Sequence, residues 1–175
     1  MKKCLIVVDF QKDFVNGALG FSGAEKLEER ILEKLDAALA DKNDIIFTFD
    51  THEPDYLQTQ EGRKLPKMHC LRNSGGWELY GQTAVYLPIA KAVFEKNTFG
   101  SLDLANFLRT AQYDTVELVG LVSNICILSN AILAKAALPE AEILVDAACT
   151  ASFDKSMHTK ALDIMNGVHI HVVNR

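Results

Sequence analysis

The chain has 175 residues, of which 49% are hydrophobic and 23% charged, and its formal net charge is -5 at pH 7. A chain of this length can bury one sizeable core, so we expect a single domain over residues 1–175. The acidic balance excludes proteins that hold nucleic acid through a basic surface. The apolar run at residues 4–8 is too short for a signal peptide or a membrane span, so we expect a cytoplasmic protein with no membrane partner.

Short apolar runs rich in β-branched residues alternate with segments of helical spacing. The runs predict six strands, at residues 3–8, 44–49, 91–95, 115–121, 142–146 and 168–173. After the first strand, an apolar residue recurs every four positions from Leu27 to Leu39, which predicts an amphipathic helix. Further helices are predicted at 102–112, 125–138 and 155–166, with Ser101, Asn124 and Asp154 as their N-caps.

Continuously apolar strands separated by helices are typical of a parallel sheet covered on both faces. We therefore predict an α/β protein, a three-layer sandwich with a six-stranded parallel sheet of the Rossmann-like, doubly wound kind. Ligands of such sheets bind beyond the carboxyl ends of the strands, so the residues after each strand are the candidates for a site. The polar segment 50–76 is rich in His, Pro and Gly, and loops of this length are usually functional.

Three residues at these strand ends form a candidate nucleophilic site. Asp9 follows the first strand, Lys96 follows the third, and Cys126 lies at the start of the helix after the fourth. A helix N-terminus and a nearby lysine lower the pKa of a thiol, and an aspartate can carry its proton to a leaving amine. Each residue also has a structural interpretation: the cysteine as a buried hydrophobe, the aspartate as a cap and the lysine as a surface charge.

A carboxylate and two imidazoles form a candidate metal site. Asp50 and His52 are two residues apart at the end of the second strand, and His69 can return to them from the long loop. This donor set suits Zn, Fe or Mn and leaves positions for water, with Glu61 as a further candidate ligand. The alternative is that residues 50–52 form a turn and that His69 lies on the surface.

The other cysteines and histidines suggest no site. The sequence contains no CxxC pair, so we expect four free thiols, with Cys4 and Cys149 in structural positions. The last helix and strand carry the remaining histidines, which we expect at the surface or in packing positions: His158, His169 and His171.

Five motifs follow one another in the chain: LIVVDFQKDFVNGAL, FTFDTH, LPKMHC, FEKNTFGS and VGLVSNICI. In this order, and over essentially the whole chain, the sequence resembles the isochorismatase-like cysteine hydrolases and, within them, the nicotinamidase/pyrazinamidase-like amidases. The resemblance implies a six-stranded parallel sheet, a cysteine nucleophile assisted by Asp and Lys, and a metal held by Asp and His. On this chain those residues are Cys126 with Asp9 and Lys96, and Asp50 with His52 and His69.

The resemblance also implies a cis peptide between Leu121 and Val122, which would direct the N–H groups of Val122 and Cys126 at one oxyanion. It further implies a homo-oligomer. Two positions depart from the amidase pattern. Asn124 stands where many nicotinamidases have Asp, and Tyr56-Leu57 stands near the position of another His. Substrate and metal set are therefore less closely defined than the reaction chemistry.

The activity implied is hydrolysis of a small carboxamide through an acyl thioester, with nicotinamide to nicotinate and ammonia as the leading candidate and no organic cofactor. Phe14, Leu19 and Phe99 are the apolar residues expected around a flat ring, and each could equally pack in the core. Two alternatives remain open. One is an amidase for an N-carbamoyl or ureido compound, and the other is a non-catalytic ligand-binding or thiol-sensing protein with the same fold.

Overall fold

The computed structural model describes residues 1–175 and contains one sheet of six parallel strands. The strands are β1 Lys3–Val8, β2 Asp44–Asp50, β3 Ala92–Lys96, β4 Thr115–Leu121, β5 Glu142–Ala151 and β6 His171–Val173. Their order across the sheet is β3-β2-β1-β4-β5-β6. The predicted fold class is therefore confirmed.

Helices connect the strands. The α-helices are α1 Lys12–Val15, α2 Leu27–Ala40, α3 Gln60–Lys64, α4 Leu102–Ala111, α5 Leu128–Ala137 and α6 Lys155–Gly167. Three 3₁₀ segments, Ala24–Lys26, Tyr56–Gln58 and Gly81–Ile89, and one π turn, Ser123–Ile127, complete the regular structure. None of the helices combines the length and the apolar character that a membrane crossing requires.

The sheet separates two hydrophobic cores. Helices α4, α5 and α6 cover one face through residues such as Leu104, Ala131 and Leu162, and α2 covers the other through residues such as Ile31. Successive residues of β1 point alternately into the two cores, because side chains alternate across a strand. Both faces are therefore apolar, which explains why the strands are continuously hydrophobic in sequence.

The site lies where the winding of the sheet reverses. From the central pair β1 and β4, the chain order runs outward through β2 and β3 on one side and through β5 and β6 on the other. Gly120 lets these two strands approach, since its φ is 115° and a Cβ there would lie 2.1 Å from the carbonyl oxygen of Val8. The carboxyl ends of β1 and β4 consequently open onto the crevice that such sheets use for ligands.

Two strand ends and one helix cap differ from the sequence prediction, and two other helix caps agree with it. Strand β5 runs on to Ala151 after a register shift against β4, whereas β6 begins only at His171. The predicted caps Ser101 and Asp154 accept hydrogen bonds from the helix N–H groups they were expected to satisfy. The predicted cap Asn124 is wrong, because a π turn precedes α5 and the side chain of Asn124 caps nothing.

Candidate active site

Asp9 directly follows β1 and is fully buried. Its φ of 46° lies in the left-handed region, which non-glycine residues adopt at a cost in strain and which is often found at functional sites. The hydroxyl of Thr48 on β2 donates to Oδ1 of Asp9 at 2.6 Å. Oδ2 accepts no hydrogen bond of good geometry, although an ammonium lies close to it. One oxygen of the carboxylate is thus held by Thr48, and the other faces this ammonium.

That ammonium belongs to Lys96, the last residue of β3. Its Nζ lies 2.6 Å from Oδ2 of Asp9 and 3.4 Å from Oδ1 of Asp50. It also donates to the carbonyl oxygen of Thr98 at 3.0 Å and to Sγ of Cys126 at 3.6 Å. The structure therefore brings Asp9, Lys96 and Cys126 together at the switch point of the sheet.

Cys126 lies on the π turn between β4 and α5. The carbonyl oxygen of Val122 accepts from the N–H groups of both Ile125 and Ile127, which closes the wide turn. The peptide bond between Leu121 and Val122 is cis, at the position that the family resemblance implied. The turn sets the thiol beside Lys96 and leaves it 4% exposed.

The electrostatics of this cluster differ from the sequence prediction. Burial raises the pKa of the Cys126 thiol well above its usual value. Asp9 and Asp50 also raise this pKa, and Lys96 opposes them by lowering it. Burial likewise raises the pKa of the Asp9 carboxyl against the opposing effect of Lys96. Burial disfavours the charge on Lys96, but its acidic neighbours hold the pKa of the ammonium high. The direction of the Cys126 pKa shift is opposite to the lowered thiol pKa expected from the sequence.

The three predicted metal ligands converge beside this cluster. Oδ2 of Asp50 lies 3.1 Å from Nε2 of His52 and 3.3 Å from Nε2 of His69, and all three residues are buried. Glu61 is more distant, with Oε1 3.8 and 3.9 Å from the same two nitrogens. Separations near 3 Å between a carboxylate oxygen and two ring nitrogens are those of ligands around one ion at about 2.0–2.2 Å.

The surroundings of the histidines support the same assignment. Nδ1 of His69 lies 2.8 Å from the carbonyl oxygen of Lys67, so the ring can donate there and leave Nε2 with a free lone pair. The neighbouring charges keep the Asp50 carboxyl ionised. Burial would raise its pKa, but Lys96, His52 and His69 hold the pKa well below its usual value. An ionised oxygen and two imidazole nitrogens form a donor set that fits a divalent transition metal.

A cavity of about 800 Å³ opens above the cluster. His52 and Glu61 form part of its wall, and Phe99, Ile125 and Phe153 supply apolar surface. It thus reaches one of the three candidate metal ligands, His52, and Ile125, the residue before Cys126. Of the three apolar residues expected around a substrate ring, only Phe99 lines this cavity. Phe14 is buried in the core beneath α2 with its ring 5.8 Å from that of His69, and Leu19 is partly buried against the same core.

Several contacts at the site escaped the sequence analysis. The Gln11 side chain accepts from the N–H of Asp50 at 2.8 Å and donates to the carbonyl oxygen of the same residue at 2.9 Å. It therefore fixes the strand end that carries the first metal ligand. His158, expected away from the site, lies with Nδ1 2.9 Å from Oγ of Ser123 on the cysteine turn. No local sequence pattern pointed to these contacts, because the partners lie 39 residues apart for Gln11 and 35 residues apart for His158.

The parallel sheet with a polar cluster at its switch point places the protein among the α/β enzymes. The family model described as the isochorismatase domain matches residues 3–174. The chain therefore belongs to the isochorismatase family, and it is a hydrolase.

Individual relatives agree with this membership. A protein of Bacillus subtilis (strain 168) named as an uncharacterized isochorismatase family protein, PncA, is 29% identical over 177 residues, which cover 93% of each chain. The crystal structure of the nicotinamidase PncA from Bacillus subtilis aligns with a TM-score of 0.86 at 29% identity, over 98% of this chain and 99% of that one. The pyrazinamidase/nicotinamidase from Streptococcus mutans UA159 aligns with a TM-score of 0.87 at 27% identity, over 98% and 100% of the two chains.

Proposed function

We propose that the protein is a cysteine-dependent amidase that hydrolyses a small carboxamide, with nicotinamide as the leading substrate. The observation that carries the proposal is the position of the Lys96 ammonium, 2.6 Å from Asp9 and 3.6 Å from the Cys126 sulfur. The nicotinamidase and pyrazinamidase names of similar proteins support the choice of substrate.

The reaction begins with transfer of the Cys126 proton to Asp9. Burial raises the pKa of both groups, and the proton passes to the Asp9 carboxylate as the sulfur attacks the amide carbon. The Lys96 ammonium balances the charge that passes between the two residues. The backbone N–H groups of Val122 and Cys126 stabilise the oxyanion of the tetrahedral intermediate.

Asp9 then returns the proton to the amide nitrogen, and the C–N bond breaks with loss of ammonia. The product of this half-reaction is a thioester between Cys126 and the acyl group. A water molecule gives a proton to Asp9 as its oxygen attacks the thioester, and the carboxylic acid leaves while the proton returns to sulfur. Each proton taken up by Asp9 is thus released before the next turnover.

Asp50, His52 and His69 are the residues that would hold a divalent ion such as Zn, Fe or Mn, with Glu61 available as a fourth ligand. When bound, such an ion supplies a Lewis acid for the ring nitrogen of the substrate or for a water molecule. Phe99 and Phe153 offer apolar surface for the ring itself. We further propose that the protein acts in the cytoplasm as a homo-oligomer and needs no organic cofactor.

Ammonia release from a panel of nicotinamide, pyrazinamide and N-carbamoyl compounds tests the proposal directly. We expect nicotinamide to be hydrolysed by the wild type and not by Cys126→Ala, with an acyl-enzyme adduct at Cys126 detected by mass spectrometry after rapid quenching. If only an N-carbamoyl compound is hydrolysed, that class of compound replaces nicotinamide as the proposed substrate. If no amide is hydrolysed, the proposed function is wrong.

A further inference from the structure

Asn130 is a buried residue of α5 whose side chain makes three hydrogen bonds beside the cysteine turn. Its Nδ2 donates to the carbonyl oxygen of Cys126 at 2.8 Å and to that of Phe99 at 3.1 Å. Its Oδ1 accepts from the N–H of Ser101 at 2.9 Å. The residue is 1% exposed, so a single carboxamide joins the nucleophile turn to the segment after β3 without competition from water.

That segment, residues 97–101, carries one wall of the cavity. Asn97, Thr98 and Phe99 all contribute to the lining, and Phe99 is the bulky apolar one. At one point Lys96 holds the segment through the carbonyl oxygen of Thr98. At its far end only Asn130 provides side-chain hydrogen bonds to the backbone of Phe99 and Ser101.

The packing of the segment against α5 is also close. A Cβ on Gly100 would lie 2.7 Å from Cδ1 of Leu133, so the backbone at this point contacts the helix directly. The segment therefore packs directly on α5. The hydrogen bonds of Asn130 fix its position along the helix and its distance from the helix.

We propose that Asn130 is a positioning residue that fixes Phe99 relative to the Cys126 thiol and thereby gives reactions at this thiol their preference for flat aromatic compounds. The proposal rests on the proposed function for its substrate class, but the geometry it describes belongs to the cavity itself. The side chain forms no part of the cavity wall and does not contact the thiol. It acts by holding two backbone segments at one separation.

The role can be separated from the hydrogen bond that Asn130 makes within its own helix. In Asn130→Thr the hydroxyl can still donate to the carbonyl of the residue four positions earlier, which is Cys126, but it is too short to reach the segment. Asn130→Leu removes all three hydrogen bonds at similar volume. Both variants should lose the side-chain hydrogen bond to the carbonyl oxygen of Phe99. Only Asn130→Leu should also lose the side-chain hydrogen bond to the carbonyl oxygen of Cys126.

The first readout is hydrolysis of nicotinamide and of propionamide by the holoenzyme. The ratio of kcat/KM for the two amides should fall by about tenfold in Asn130→Thr, mainly through KM for nicotinamide, because the two hydrogen bonds that hold the aromatic wall are lost. The metal content should not change, since the ligands lie on β2 and the long loop. An unchanged ratio would overturn the proposal.

The second readout does not need catalysis. The rates at which N-benzyl iodoacetamide and iodoacetamide alkylate Cys126 are compared in the wild type and in both variants. The wild type should favour the benzyl reagent, and the variants should lose that preference. A protein that hydrolyses no amide but shows this change refutes the proposed function and supports the role of Asn130, whereas equal ratios in all three proteins refute the role.

Ser101→Ala is the matched control. It removes the hydroxyl that caps α4 through the N–H of Leu104 but keeps the backbone N–H that Asn130 accepts. Loss of this cap should lower stability by an amount similar to that expected of an Asn130 variant. If Ser101→Ala alters the two ratios as much as Asn130→Thr does, simple destabilisation explains the effect and the positioning role is wrong. If Asn130→Leu does not fold, the comparison of Asn130→Thr with Ser101→Ala decides.

Discussion

The Lys96 ammonium and the Asp9 carboxylate form an ion pair at 2.6 Å, with the two side chains only 3% and 0% exposed. A buried pair of this kind is expensive to leave half complete, because the remaining charge has neither water nor a partner. Lys96 Nζ also lies 3.4 Å from Oδ1 of Asp50. The lysine therefore compensates two carboxylates and contacts the sulfur at the same time.

Asp9→Asn should keep the fold and most substrate binding but lower kcat by at least ~10²-fold, the usual scale for a general acid and base. Lys96→Met should lower kcat as well, and the double variant should lose little more than the worse single one, because cooperating catalytic groups are not additive. Steady-state kinetics check this, with the exposed Asp41→Asn as control. Simple additivity would show that the two residues act independently.

The same two substitutions should shift the thiol pKa in opposite directions. Asp9 raises the pKa of Cys126 and Lys96 lowers it, so Asp9→Asn should label faster than wild type at a given pH and Lys96→Met more slowly. Alkylation by iodoacetamide against pH, mapped by mass spectrometry, gives both shifts. In the folded wild type Cys126 should be labelled before Cys4, Cys70 and Cys149, and first labelling of another thiol would contradict the nucleophile assignment.

His69→Ala should abolish binding of a divalent metal, because it removes one of three donors that face a common point. Calorimetric titration of the chelator-treated protein with Zn measures this. Bound metal should stabilise the wild type by about 2.7 kcal/mol at a free concentration of 100 times Kd, and the variant should gain nothing. The exposed His171→Ala is the control and should behave as wild type; equal stabilisation of His69→Ala would remove the metal site.

His158 should make stability depend on pH. Burial, with a contribution from Arg175, lowers the pKa of this imidazole, so below about pH 6.5 the unfolded chain binds a proton that the folded protein resists. The free energy of unfolding should therefore decrease as pH falls from 7 to 5. Urea titrations should give a smaller decrease for His158→Gln, which can still donate to Ser123. His169→Gln is the control, and an unchanged pH dependence in His158→Gln would contradict the assignment.

Features with a local signal could be predicted from the sequence. The strands, the caps Ser101 and Asp154, and the strand ends that deliver Asp9 and Lys96 follow from periodicity and residue type within a few positions. The contacts of Asn130 with Ser101 and of Thr48 with Asp9 could not, because the partners are 29 and 39 residues apart. No pattern in the intervening sequence sets those distances.

Burial depends on the whole packed structure, so local patterns did not predict it. A helix N-terminus and a lysine predicted a lowered thiol pKa, whereas burial raises it. The residue type of Phe14 suggested the substrate pocket, and the structure packs Phe14 into the core against His69. The wide π turn moved the start of α5 beyond the reach of Asn124.

Lys96 ends β3, which lies at the edge of the sheet and pairs only with β2. An edge strand is held by one row of hydrogen bonds, and the side chain of Val93 in β3 is 47% exposed. Local detachment of this strand would carry the lysine away while the other five strands remain paired. We therefore expect activity to be lost on heating before the sheet unfolds, and to return on cooling as long as the other five strands stay paired.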